Sequence, residues 1–163
     1  MTRRSLGWIA ACALMLFTAA PRAAQDADPL EAVRLEDFPH AQLAIQRGVV
    51  KQLVDVWVAD TPIRQQRGLM FVKEMAADRG MIFVYPQPRM LMMWMKNTFI
   101  ELDMLFVDER GRINHIIEHA KPQSEKILAT PVAASMVVEL KGGEVKRRGI
   151  VVGDRVHVTP APR

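Results

Sequence analysis

Beyond residue 40 the apolar residues of this chain come in short runs of strand length, each closed by glycine, proline or a cluster of turn residues. That punctuation excludes long amphipathic helices and points to a sheet of many short strands. Ala41–Gln46 and Lys51–Ala59 read as a hairpin around Arg47-Gly48, with Val54, Val56 and Val58 as the core face of the second strand. Gly80 opens a buried strand, Met81–Tyr85, which Pro86 and Pro88 are expected to stop. Met90–Lys96 and Asp103–Val107 read as two more strands joined by Asn97–Leu102. Met104-Leu105-Phe106-Val107 is apolar on both faces, which makes its strand central. Asp108–Gly111 is a tight turn into a strand over Arg112–His119, and Ala134–Leu140 and Arg155–Val158 complete the set.

Two helical windows interrupt the strands. Thr61-Pro62 pairs a hydroxyl cap with a proline whose missing N–H costs nothing at that position, so a helix is expected over Pro62–Met70. Glu144–Arg148 is a single turn stopped by Gly149. The expected class is mainly β, a β-rich α+β fold: a small antiparallel barrel or rolled sheet of seven to eight strands with one or two short helices. A chain of 163 residues accommodates one such domain, placed at 41–160. Residues 25–40, polar, acidic and carrying Pro29 and Pro39, read as a flexible tether.

The first 24 residues have a different character. Arg3-Arg4 precedes an uncharged run, Leu6–Ala20, and small residues follow at Ala23-Ala24, the pattern of a signal peptide. Three of the 22 basic residues and none of the 18 acidic ones lie there, which leaves 19 against 18 and turns a formal +4 into +1. Nucleic acid is therefore not an expected partner. Cys12, the only cysteine, also falls in the leader, so an exported chain has no disulfide and no thiol nucleophile. The expected location is periplasmic or secreted. The alternative is an N-terminal membrane anchor, through an uncleaved leader or through Cys12, which ends the lipobox-like Ile9-Ala10-Ala11-Cys12; Thr2–Leu6 also resembles a twin-arginine signal.

Trp94-Met95-Lys96-Asn97-Thr98, followed by Leu102-Asp103 and Phe106-Val107-Asp108, forms a distinctive block. Arg67–Phe71, Gly80–Phe83, Gly111–Ile113, Val138–Leu140 and Gly149–Asp154 flank it in order. Together these blocks resemble the signature of domain-of-unknown-function family 192, over about Val54 to Val158. The resemblance implies a compact β-rich fold, and exported members look typical of the family in proteobacteria; it implies no reaction.

His115-Ile116-Ile117-Glu118-His119 matches a zinc-protease pattern that works only on a helix. On a strand, residues four apart stand about 13 Å from each other, beyond the reach of one zinc ion. Nine of the eleven methionines lie after the leader, with Met90, Met92, Met93 and Met95 nearly consecutive. Thioethers suit Cu(I), but alternation puts at most half of these on one side, and Met also fills cores. Lys96, Asn97, Thr98, Glu101 and Asp103 are the densest polar set in an apolar stretch, with Lys96 and Asp103 expected to pair across the connection. Lys146-Arg147-Arg148 reads as a solvated helix face.

The leading expectation is a non-enzymatic binding or accessory module of the cell envelope, with its partner a small ligand or an envelope protein. Its candidate binding residues are Arg67, Met70, Trp94, Lys96, Asn97, Thr98 and Asp103. In this reading Lys96 binds an anion, Asn97 orients it and Trp94 stacks. No catalytic residue, metal ligand set or cofactor is assigned. The alternatives are an enzyme using Lys96, Asn97 and Asp103, and Met-based Cu(I) handling.

Overall fold

The computed structural model describes residues 28–160, so the leader and Cys12 lie outside the described residues. The strands are β1 (His40–Arg47), β2 (Val50–Ala59), β3 (Arg79–Arg89), β4 (Met92–Met93), β5 (Leu102–Val107), β6 (Ile113–Ala120), β7 (Leu128–Ala129), β8 (Ala134–Lys141) and β9 (Arg155–Pro160). The helices are α1 (Pro62–Arg67) and α2 (Glu144–Arg148). Seven strands form one sheet in the order β6-β5-β8-β3-β2-β1-β9, and β4 pairs with β7 in a separate ribbon.

The sheet is rolled rather than closed. Its margins meet at a single bridge between Arg112 and Arg155, beside hydrogen bonds from Ile113 N–H to Asp154 O (3.0 Å) and from Val156 N–H to Gly111 O (2.7 Å). All neighbours are antiparallel except β2 and β3, whose parallel pairing follows from the connection through α1.

Rolling gives the sheet an inner and an outer face, and both are covered. Leu43, Ile45, Val54, Val56, Ile82, Leu105, Val107, Val138 and Leu140 fill the inside, plugged by Val145 and Ile150. Met81, Phe83, Leu102, Met104, Phe106 and Val137 form the outer face, under Phe38, Leu69, Val72, Met75, Leu91, Met93 and Met95. Every residue of β5 is buried, as its two-sided apolar pattern indicates. The β1–β2 hairpin and the buried Val54 and Val56 also follow the sequence pattern.

Several expectations need correction. First, β3 does not stop at Tyr85 but runs through Pro86 and Pro88 to Arg89. The prolines are tolerated because pairing with β8 is interrupted between Val84 and Arg89, and the β2 partner ends at Ala59 opposite Phe83. Second, Met90–Lys96 is not one strand: only Met92 and Met93 pair, with Ala129 and Leu128, and a turn follows. Third, the tether assigned to 25–40 is docked from Asp28 onward. Asp28 accepts from Leu30 N–H at 3.0 Å and caps a 3-10 turn, Pro29–Ala32; a second turn spans Leu35–Asp37; Leu30 and Phe38 are buried. Its apolar residues find the outer face of the sheet, which outweighs its acidic composition. Fourth, the basic run is a solvated helix face at Lys146 and Arg147 but not at Arg148. The side chain of Arg148 is only 8% exposed, and both Arg147 and Arg148 hold the buried Glu144, at 2.7 and 2.8 Å.

Asp103, at 0% exposure, does not pair with Lys96. Its carboxylate oxygens accept the N–H of His119 and the N–H of Val145, both at 2.9 Å, and so tie β5 to the end of β6 and the start of α2. Removing this carboxylate strands two backbone donors. Asp103→Ala is expected to cost about 2–4 kcal/mol in urea unfolding, and Asp103→Asn, which keeps one acceptor, roughly half as much.

Candidate functional site

α1 begins at Thr61, whose side chain accepts from Arg64 N–H at 3.4 Å, and ends three residues earlier than the sequence pattern indicates. The stop is Gly68, at φ +46°, where a Cβ would stand 3.2 Å from the Phe83 ring. The chain then turns through Leu69, Met70 and Phe71 and meets a second turn, Trp94–Thr98.

The two turns are joined under strain. Phe71 and Asn97 both hold positive φ, 66° and 54°, a rare state for residues other than glycine. Phe71 N–H donates to Asn97 O at 2.8 Å. The Asn97 amide donates to Asp28 at 3.0 Å, and the Thr98 hydroxyl donates to Lys96 O at 3.3 Å. Asn97 and Thr98 therefore build the turn, as their side chains suggest.

Arg67 is buried, and burial pushes its guanidinium below its ordinary pKa, with Glu31 and Asp28 acting the other way. It donates to Val33 O at 3.0 Å and Gly68 O at 3.3 Å and lies over the Phe71 ring, 5.1 Å from its centroid. Its contacts thus clamp the N-terminal segment to the helix end. Lys96 rests its ammonium on the ring of Trp94, 5.5 Å from the centroid, and Trp94 itself is 43% exposed.

Two hollows share Gln66, Met70 and Trp94 as a common wall. The outer one, about 270 Å³, is completed by Asp28, Pro29, Leu30, Ile63 and Lys96. The inner one, about 30 Å³, is bordered by Gln65, the Arg67–Leu69 turn, Phe83, Met93, Thr98 and Glu139.

Glu139 is the residue that the sequence reading missed. It stands on the outer face of β8, between Met81 on β3 and Met104 on β5, and is 4% exposed. It forms no hydrogen bond or ion pair with the described residues, and burial alone pushes its pKa up to about 8. The signal was a lone carboxyl in a strand otherwise apolar on both faces, Met136-Val137-Val138-Glu139-Leu140.

The structure therefore gathers Arg67, Met70, Trp94, Lys96 and Thr98 around one cleft, uses Asn97 to brace the turn beside it, and separates Asp103 from them. The four methionines divide: Met93 and Met95 are buried, while Met90 and Met92 are exposed, and only Met93 of the four borders a hollow described above. His115 and His119 lie on strand β6, where His115 meets the Phe106 ring and His119 bonds Glu101 at 2.7 Å. The hydrogen bond to Glu101 raises the His119 pKa. A wider hollow of about 690 Å³ lies elsewhere, beside Lys73, Glu74, Glu101 and Lys141, but these charges are exposed and mixed in sign.

Comparison with known proteins places these observations. The DUF192 family model, described as Uncharacterized ACR, matches residues 43–158. The resemblance carried by the Trp94–Thr98 block and its flanks is thus borne out. A solved structure from Sinorhizobium meliloti 1021, described as a "putative transcription regulator", is 37% identical with a TM-score of 0.72, over 74% of this chain and 95% of that one. A protein of unknown function from Novosphingobium aromaticivorans DSM 12444 is 34% identical with a TM-score of 0.69, over 71% of this chain and 83% of that one. No curated protein matches the chain.

The state of Glu139 makes stability depend on pH. Its folded pKa of about 8 lies above the ordinary 4.5, so the fold binds a proton that the unfolded chain releases between those values. Stability should fall as pH rises through that window and level off above it. Glu139→Gln, which carries no such proton, is expected to match the parent near pH 5 and to exceed it at pH 9 by on the order of 4 kcal/mol, measured as unfolding free energy against pH.

Proposed function

The chain belongs to the DUF192 family, a family of unknown function, and we propose that this member is an exported, non-enzymatic module of the cell envelope that binds a small ligand in the cleft between the end of α1 and the Trp94–Thr98 turn. The observation that carries this reading is the unpartnered Glu139 carboxyl at the floor of the inner hollow. A buried polar group costs free energy unless something bonds it, and a ligand group entering the hollow is what the cleft leaves room for. The strained Phe71 and Asn97, each next in sequence to lining residues (Met70; Lys96 and Thr98), support the same location, since such conformations gather at binding sites.

A binder is favoured over an enzyme because the side chains of the enzymatic reading are engaged elsewhere: Asp103 by two backbone N–H groups, Asn97 by Asp28 and Lys96 by Trp94. The description of the Sinorhizobium relative as a transcription regulator gains no support from the basic run of α2, where Glu144 engages Arg147 and Arg148. Export rests on the Arg3-Arg4 and Leu6–Ala20 leader.

Two measurements test the proposal. A mixed set of small organic acids, amines, amides and alcohols should move the Trp94 indole resonance and leave that of Trp57 in place; a Trp94 signal indifferent to every member removes the ligand reading. Fractionation of cells making the full chain should recover it from the envelope with an N-terminus near residue 25, and a full-length cytosolic product removes export.

A further inference from the structure

The inner hollow is rich in acceptors and contains no protein cation directed at its carboxyl. Thr98 gives its hydroxyl proton to Lys96 O, which leaves its oxygen free to accept. The Gln65 amide donates to Val84 O at 2.8 Å and to Ala59 O at 3.4 Å, so its carbonyl oxygen is the unused end. Phe83 and Trp94 contribute ring faces, and Met70 and Met93 polarisable thioethers. Arg67 also borders the hollow, but its guanidinium is drawn to Val33 O, Gly68 O and the Phe71 ring. Lys96 lines the outer hollow, on the Trp94 ring.

A carboxyl in such surroundings is best complemented by a compact cation with several donors. A primary ammonium has three, and its head group is about the size of the water molecule that a 30 Å³ space admits. The outer hollow, with Leu30, Ile63, Met70 and Trp94, suits a short methylene chain. Lys96 shows the affinity of this wall for an ammonium group, because it already rests one there.

We propose that the cleft binds a primary alkylammonium group, with its head on Glu139 and its methylenes along Met70 and Trp94. The proposal rests on the reading of the cleft as a binding site and specifies its ligand class.

Binding of this kind is coupled to a proton. Glu139 holds its proton to about pH 8 in the free protein, and only the ionised form pairs with ammonium. The charged or titratable groups around it are Tyr85 on β3, with Arg89 over its ring, Arg67 from the helix end, and Lys96 and Asp28 at the rim. Met104 on β5 adds none.

The test titrates the protein with n-butylamine, butan-1-ol and butyrate, read by the Trp94 indole resonance and by calorimetry. Butylamine alone should bind, about 50-fold more tightly at pH 8 than at pH 6, and Glu139→Gln should weaken it at least ~10-fold while remaining folded by circular dichroism. Lys96→Gln, which frees the Trp94 ring, should strengthen it. Comparison with Nα-acetyl-lysine N-methylamide identifies the source: tighter binding of this probe points to a protein side chain, tighter binding of butylamine to a free amine, and either result supports the class. Binding of butanol or butyrate with butylamine silent overturns the amine and leaves the cleft as a binding site. Silence of all probes overturns both. Butylamine binding that ignores pH and Glu139→Gln overturns the role of Glu139.

Discussion

Coverage of the rolled sheet on both faces is the constraint from which the rest follows. Every side chain of β5 and those of Val137–Leu140 on β8 are buried, so each charge there must find a partner or go unsatisfied. Two carboxyls occupy these strands almost side by side. Asp103 stands opposite Leu140 and faces inward; Glu139 stands opposite Met104 and faces outward. Asp103 is satisfied by the N–H groups of His119 and Val145 and becomes a structural tie. Glu139 has no such donors and lies beneath a hollow. A buried carboxyl without a protein partner is costly, and Glu139 keeps a small exposure because a hollow opens beside it.

The rim of that cleft is held by contacts distant in sequence. Phe71 and Asn97 each adopt a conformation that costs on the order of 1–3 kcal/mol, and the surroundings must over-determine it. Asn97 is braced from the N-terminal segment by Asp28, the following residue by Gln123 N–H on Thr98 O at 3.0 Å, and Met95 by its own N–H to Ser124 O at 2.9 Å. The segment before β1 is thus a buttress of the cleft as well as a cover for the sheet.

Much of this fold was legible locally. The β1–β2 hairpin, the two-sided burial of β5, the Asp108–Gly111 turn and the single turn of α2 all follow from patterns of two to six residues. The misreadings share a different origin, because they depended on a partner elsewhere in the chain. Pro86 and Pro88 continue a strand because the neighbours on both sides have already left it. Met92 and Met93 form a short ribbon only because Leu128 and Ala129 are there to meet them. Lys96 and Asp103 are close in sequence, yet alternation and the turn at Asn97 send them to different partners. For the site, Trp94, Lys96, Arg67 and Met70 were visible as a cluster of suitable types. Glu139 was not, because its significance lies in having no partner, and a sequence does not display which partners are missing.

The docking of Asp28 against Asn97 also bears on the opening of the cleft. Asp28 lines the outer hollow while its carboxylate accepts from the Asn97 amide. One side chain thus serves both as a brace of the Asn97 turn and as part of the cleft wall, so a change at Asp28 alters the shape of the opening as well as the docking of its own segment.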